Sequence, residues 1–241
     1  MPRERVVFHS GGLRLVGDLY LPIAEGPVPG VVVLHGLGSR KERHEDFGVL
    51  AAQHGLAALA FDMRGHGESE GQLDANAWQD VAAAVDLLAA QPEVASDCLA
   101  IRGSSLGGHY AIHAAALLPA LRTCVAICPA PEWLMLEGAS QVLEQGAPLP
   151  AELRADPHEF LRYLRGHDLA KAVAQIAPRA LLLIHASGDD VVPAFVSQRL
   201  YEAAGEPKEL WLLPDGSHTS AQHDPALNAR LLAWLQRQFT P

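Results

Sequence analysis

Two spacings of apolar residues alternate along this chain. In the first, apolar positions are consecutive: Gly30–His35, Ala57–Asp62, Cys98–Gly103, Leu121–Cys128, Ala180–His185 and Glu209–Leu213. Short runs of this kind predict strands covered on both faces. In the second, apolar positions recur every three or four residues, as at Trp78, Val81, Val85 and Leu88, with Asp80 and Asp86 off that stripe. This spacing predicts helices with one buried face. Further helices are predicted near Lys41–His54 and over Leu106–Leu118, Val196–Ala204 and Leu227–Phe239. Val6–His9 and Leu13–Leu21 flank Gly11–Gly12 and predict an opening hairpin. Eight strands alternating with helices imply an α/β fold, a mostly parallel sheet with helices on both faces.

One stretch breaks the alternation. About fifty residues, Pro129 to Pro178, separate two predicted strands, far more than a simple crossover needs. Within it Asp156-Pro157-His158-Glu159 combines an N-cap, a proline at the first helical position and a glutamate at the third. The segment is expected to be a small helical cap inserted at about 129–178 into a single domain spanning 1–241.

Composition narrows the class. Hydrophobic residues make up 49% and charged residues 19%, so a folded core is expected rather than disorder. The formal charge is −10 without a Lys/Arg-rich run, which argues against a nucleic-acid partner. No apolar run reaches membrane-spanning length, and MPRERVVFHSGG has no signal-peptide core. Three cysteines, Cys98, Cys124 and Cys128, do not form a disulfide framework. A cytoplasmic location is expected, and oligomeric state is left open.

The chemistry concentrates at Gly103-Ser104-Ser105-Leu106-Gly107, where a predicted strand turns into a predicted helix. This is the nucleophile-elbow pattern G-x-S-x-G centred on Ser105. Glycines two positions either side are expected because side chains there would collide across the turn. The following helix would turn its free N–H groups toward developing negative charge. A serine hydroxyl needs a base to take its proton, and the base needs an acid to orient it. Two later loops, each just past a strand, offer them: His185-Ala-Ser-Gly-Asp189-Asp190 and Pro214-Asp215-Gly216-Ser217-His218. One helix and one strand fill the interval between Asp189 and His218, a crossover that makes the two loops neighbours.

With these motifs the chain resembles the α/β-hydrolase superfamily over nearly its whole length. His185, Asp189, Val192 and Pro193 match that family's H-G-x-x-D-x-x-V-P segment, with Ala186 in place of the glycine. The resemblance implies a triad of Ser105, Asp189 and His218. Asp190 and His223 are the rival acid and base, and Asp215 is expected to form a turn. It also implies an oxyanion hole from the backbone N–H groups of Leu106 and of Leu37, the latter in His35-Gly36-Leu37, with His35 bracing that loop. The family motif D-x-R-G-x-G-x-S at Asp62–Ser69 is expected to be structural.

The serine excludes a dehalogenase-like aspartate and a dienelactone-hydrolase-like cysteine. The insert resembles that of small bacterial carboxylesterases, feruloyl and cinnamoyl esterases among them. The resemblance thus implies an esterase acting on short to medium acyl or aryl-acyl esters through an acyl-enzyme, without metal or organic cofactor. Trp133 and Met135 are expected to contribute to an apolar substrate wall. Thioesterase and amidase chemistry use the same machinery.

Two readings from other classes compete. Gly36-x-Gly38 after a strand, with Asp62 closing the next, forms part of a dinucleotide-binding fingerprint, but Lys41 stands where its third glycine belongs. A non-catalytic ligand-binding protein on the same fold is the other, and it leaves the triad unused. His109 and His113 also have a metal-ligand spacing, but no acid or third ligand accompanies them in sequence, so a solvated or hydrogen-bonded pair is expected.

Overall fold

The consecutive apolar runs become the central strands of an eight-stranded sheet. The computed structural model describes residues 3–240. Its strands are β1 (Arg3–Ser10), β2 (Leu13–Tyr20), β3 (Val28–Leu34), β4 (Ala57–Phe61), β5 (Val94–Ser104), β6 (Leu121–Ile127), β7 (Ala180–Ala186) and β8 (Lys208–Leu213). They are ordered β1-β2-β4-β3-β5-β6-β7-β8. β1 and β2 form the expected hairpin, and β2 pairs antiparallel with β4; the other pairs are parallel. This is the α/β-hydrolase fold.

Alternation within the buried strands divides the core into two layers. Val32 and Leu34 of β3 point into the layer covered by α2 (Ala77–Ala89) and α3 (Leu106–Leu117). Val31 and Val33 point to the opposite layer, covered by α1 (Glu45–Gln53). A strand sandwiched in this way has no polar face, which is why its sequence shows none. The stripe predicted for α2 shifts slightly. Asp80 is fully buried, drawn inward by the Arg64 guanidinium at 2.6 Å, and Trp78 is partly exposed.

The long insert separates into two parts. α4 (Glu132–Gln145), α5 (Pro157–Gly166) and the segment joining them form the cap. Asp156 caps α5 as its sequence predicts, accepting from the His158 and Glu159 N–H groups. α6 (Leu169–Ala174) instead packs against α3 and, with its apolar Leu169, Ala172 and Val173, belongs to the body. The crossover to β7 therefore begins inside the predicted cap. Beyond β7, α7 (Phe195–Ala203) precedes β8, and α8 (Ser220–His223) and α9 (Pro225–Phe239) follow it; α7 lies on the α3 side and α9 on the α1 side.

The cap is zipped to the loop after β4. Arg154 N–H donates to the Gly65 carbonyl at 2.8 Å, Leu73 N–H to the Arg154 carbonyl at 2.8 Å, and Asp156 N–H to the Leu73 carbonyl at 3.0 Å. Among the described residues no helix is long and apolar enough to cross a membrane.

Candidate functional site

Ser105 sits between β5 and α3 with φ 54° and ψ −118°. That backbone region is rarely occupied by a residue with a side chain, and holding one there costs about 1–3 kcal/mol. Three backbone hydrogen bonds over-determine it. Ser105 N–H donates to Ile127 O at 3.0 Å, and its carbonyl accepts from His109 N–H at 3.0 Å and Ala130 N–H at 3.1 Å. A Cβ on Gly103 would strike the Gly107 carbonyl across the turn, as the sequence suggests. One on Gly107 would instead strike the carbonyls of Leu34 and His35, so that glycine lets α3 close onto β3. The neighbouring Ser104 is buried.

Asp189 and His218 meet from the loops after β7 and β8. His218 Nδ1 lies 2.7 Å from Asp189 Oδ2, while Asp189 Oδ1 accepts from the N–H groups of Val191 and Val192 at 2.9 Å each. Burial pushes the Asp189 carboxyl up, but the bonds from His218, Val192 and Val191 outweigh it and hold its pKa below the ordinary aspartate value. His218 is thereby oriented with Nε2 free. Cys128, one residue beyond β6 with φ 38°, donates its thiol to the His218 carbonyl at 3.3 Å and steadies that loop. The rivals lie elsewhere. Asp190 is exposed, Asp215 occupies the expected turn with φ 59°, and His223 pairs with Asp46 at 3.1 Å. Asp224 caps the last helix.

Ser105 and His218 open onto one cavity of about 430 Å³ between the sheet edge and the cap. Leu37 and Leu106 also line it. Among the described residues no loop or cap carbonyl accepts from either of their N–H groups, which leaves both available beside Ser105. Met135 lines the cavity, whereas Trp133 does not and is 48% exposed. This corrects the expected wall. Two positions along a helix are about 200° apart, so both side chains cannot face one pocket. The wall from α4 is instead Leu134, Met135, Gly138, Ala139 and Val142, with Gln141 as its polar member; the three- and four-residue spacing of the apolar set was visible in the sequence. Leu149, Leu153 and Phe160 are among the residues that extend it from the rest of the cap. Among the described residues that line the cavity, none carries a carboxylate, ammonium or guanidinium group.

The loops around the site hold buried polar groups in place. His35 donates from Nδ1 to the Gly36 carbonyl at 2.8 Å and accepts at Nε2 from Met63 N–H at 3.1 Å, which braces the loop carrying Leu37. Burial lowers its pKa to about 4, so the ring stays neutral. Asp62 accepts from Lys41 N–H at 2.8 Å and Glu68 N–H at 2.9 Å, and the Lys41 ammonium lies 3.2 Å away. This carboxylate is therefore not free for a ribose, and cap residue Pro150 packs on Gly38 where a pyrophosphate would have to sit. The dinucleotide reading has no room here.

Among the described residues three groups bring metal-ligating atoms together: Glu42, Asp62 and Glu68; Cys128, Asp189 and His218; and His109, His113 and Glu132. Lys41 already occupies the first, and the second is spent on the Asp189–His218 bond. The third supplies the acid that the local sequence around the two histidines lacks.

A family model described as Hydrolase_4, serine aminopeptidase S33, matches residues 26–156, which include Ser105 but neither Asp189 nor His218. An uncharacterized protein of Mycobacterium tuberculosis is 30% identical over 244 residues, covering 98% of this chain and 78% of the relative. The 2,6-dihydropseudooxynicotine hydrolase of Paenarthrobacter nicotinovorans is 34% identical over 126 residues, 52% of this chain and 34% of that enzyme. Among solved structures, a hypothetical protein, PA2218, of Pseudomonas aeruginosa superposes with a TM-score of 0.84 at 22% identity, over 98% of this chain and 94% of that one. Est1E of Butyrivibrio proteoclasticus, solved with ferulic acid bound, superposes with a TM-score of 0.80 at 20% identity, over 97% and 98%.

Proposed function

The chain belongs to the Hydrolase_4 family of hydrolases, described by its serine aminopeptidase S33 members, and from that membership we propose that it is a serine esterase. Its substrates are carboxylic esters with short to medium acyl or aryl-acyl groups. His218 Nε2 takes the proton of Ser105 Oγ as the oxygen attacks the ester carbon. The tetrahedral oxyanion is received by the Leu37 and Leu106 N–H groups. Collapse expels the alcohol, which takes the proton back from His218, and water then hydrolyses the acyl-enzyme by the same steps. Asp189 keeps the imidazole in the tautomer that presents Nε2 and stabilises the imidazolium.

The observation that carries the choice of substrate is the uncharged cavity. An aminopeptidase must hold a free α-ammonium, and burying that charge unpaired is prohibitive. Leu134, Met135 and Phe160 offer apolar surface instead, suited to an acyl or aryl group. The likeness to Est1E, which binds ferulic acid, agrees with an aryl-acyl occupant.

The test is kcat/KM over nitrophenyl esters from acetate to palmitate, methyl ferulate and aminoacyl nitroanilides. Rates should climb over the first few carbons and then fall, methyl ferulate should be cleaved, and the anilides should be poor. Ser105→Ala should lower turnover by about 10⁶. A maximum at palmitate or on the anilides would overturn the substrate class. A Ser105→Ala variant with a tenth of the original activity would overturn the nucleophile.

A further inference from the structure

His109 and His113 leave the same face of α3, one turn apart. The turn after β6 carries Glu132, the first residue of α4, over that face. Its Oε1 lies 3.8 Å from His109 Nδ1 and 3.8 Å from His113 Nε2. The three ligand atoms lie within 4.8 Å of one another. His109 is 0% exposed and His113 6%.

Neither 3.8 Å contact is a hydrogen bond. Among the described residues His113 Nε2 and Glu132 Oε1 are buried without a partner. Unpaired buried polar atoms are costly, and here a ring nitrogen and a carboxylate oxygen face the same space. One electron-pair acceptor placed between them would satisfy both.

We propose that His109 Nδ1, His113 Nε2 and Glu132 Oε1 bind a divalent transition-metal ion of the zinc class, pinning the start of the cap helix α4 to α3. Two imidazole nitrogens and one carboxylate oxygen are a borderline donor set, suited to zinc and its neighbours rather than to magnesium or calcium. Metal–ligand bonds of about 2.0–2.2 Å put tetrahedral donors roughly 3.3–3.6 Å apart, so the two Glu132 contacts would close slightly from 3.8 Å and the two imidazole nitrogens from a separation of at most 4.8 Å. The outer partner is in place as well. His109 Nε2 lies 3.1 Å from the Tyr163 hydroxyl. When Nδ1 turns to the metal it gives up its bond to the Ala130 carbonyl, now 3.2 Å, and Nε2–H donates to Tyr163. The change is a shift of tautomer and releases no net proton. Glu132 stands two residues before Leu134, where α4 begins to line the cavity, and Ala130 lines it too. The ion would therefore steady the substrate wall without touching the reacting atoms, and the site stands independently of the esterase reading.

The experiment uses tag-free protein stripped with chelator, in a His218→Ala background that removes the imidazole of the other cluster. Zinc is titrated by calorimetry, with cobalt(II) absorption as a report of nitrogen and oxygen ligands. One zinc per chain should bind and raise the melting temperature. Glu132→Gln and His113→Ala should each weaken binding by more than the roughly 10–100-fold that loss of an outer-shell partner costs, and magnesium should not compete. Glu132→Gln preserves size, so it carries the test if His113→Ala does not fold. The absence of saturable binding at roughly micromolar zinc, undiminished affinity in Glu132→Gln, or competition by magnesium would overturn the site.

Discussion

At the scale of single residues, the site depends on hydrogen bonds that favour one protonation state. The Asp189 carboxylate accepts two backbone N–H groups as well as His218. Asn at 189 would keep the shape but could hold the imidazole in the wrong tautomer and leave an imidazolium unpaired. Asp189→Asn should therefore lower kcat/KM by about 10⁴, while Asp190→Asn, at an exposed position, should leave it within a few-fold; steady-state kinetics on one ester compares them. Equal losses would leave the acid unassigned. The lowered Asp189 pKa also has a sign. Its contribution to stability is fully present above the unfolded value, about 3.9, and is lost as pH falls through the lower folded value. The carboxylate therefore stays charged through the mildly acidic range.

At the scale of elements, the D-x-R-G-x-G-x-S loop supports the cap. Gly65 has φ 78°, and a Cβ there would strike the Arg154 carbonyl and Leu73 N. The Arg154 guanidinium reaches the Ser69 carbonyl at 2.5 Å, so backbone and side chain hold the same junction. Gly65→Ala would combine an unfavourable backbone region with a collision at the zipper. It should destabilise the protein by about 1–3 kcal/mol and speed hydrogen exchange at the Arg154 and Leu73 amides before exchange in the sheet. Urea unfolding and exchange mass spectrometry would read both. Exchange that rises equally in the sheet and at the cap junction would mean the loop serves the body and not the cap.

At the scale of the whole molecule, several histidines are buried in neutral form around the sheet. Burial lowers the His35 pKa to about 4; burial and the neighbouring His35 lower that of His66 to about 3. His44 is held well below its ordinary value by burial and the Arg102 guanidinium. Each takes up a proton near its ordinary value, about 6.5, only when the chain unfolds, so stability falls as pH drops from there toward the folded values. Between pH 7 and 5 the loss is about 2 kcal/mol per histidine. Acidification also relieves the self-repulsion of a chain with formal charge −10, an effect spread over the surface and screened by salt. The histidines should therefore dominate, and the urea midpoint should be lower at pH 5 than at pH 7. His35→Gln should shrink that difference if it folds, and an unchanged pH 5 midpoint in the unmodified protein would refute the account.

The eight strands and the helices of the body outside the insert were legible in the sequence alone, α8 (Ser220–His223) excepted, because the patterns behind them are local. Strand burial, the α3 start at the elbow and the Asp156 cap depend on residues a few positions apart. The sequence also put Ser105, Asp189 and His218 just past the ends of β5, β7 and β8, since each occupies a turn with its own short-range signature. Tertiary structure decided what depends on docking. The seating of α4 turned Met135 inward and Trp133 to solvent, although both are large and apolar. The crossover role of α6 followed from its fit between α3 and α7. Asp80 lost its solvent face because Arg64, 16 positions away, reached it first. Glu132 came beside His109 and His113 only when the chain crossed from β6 into the cap. Periodicity records which face of an element is apolar; it holds no record of what that face will meet.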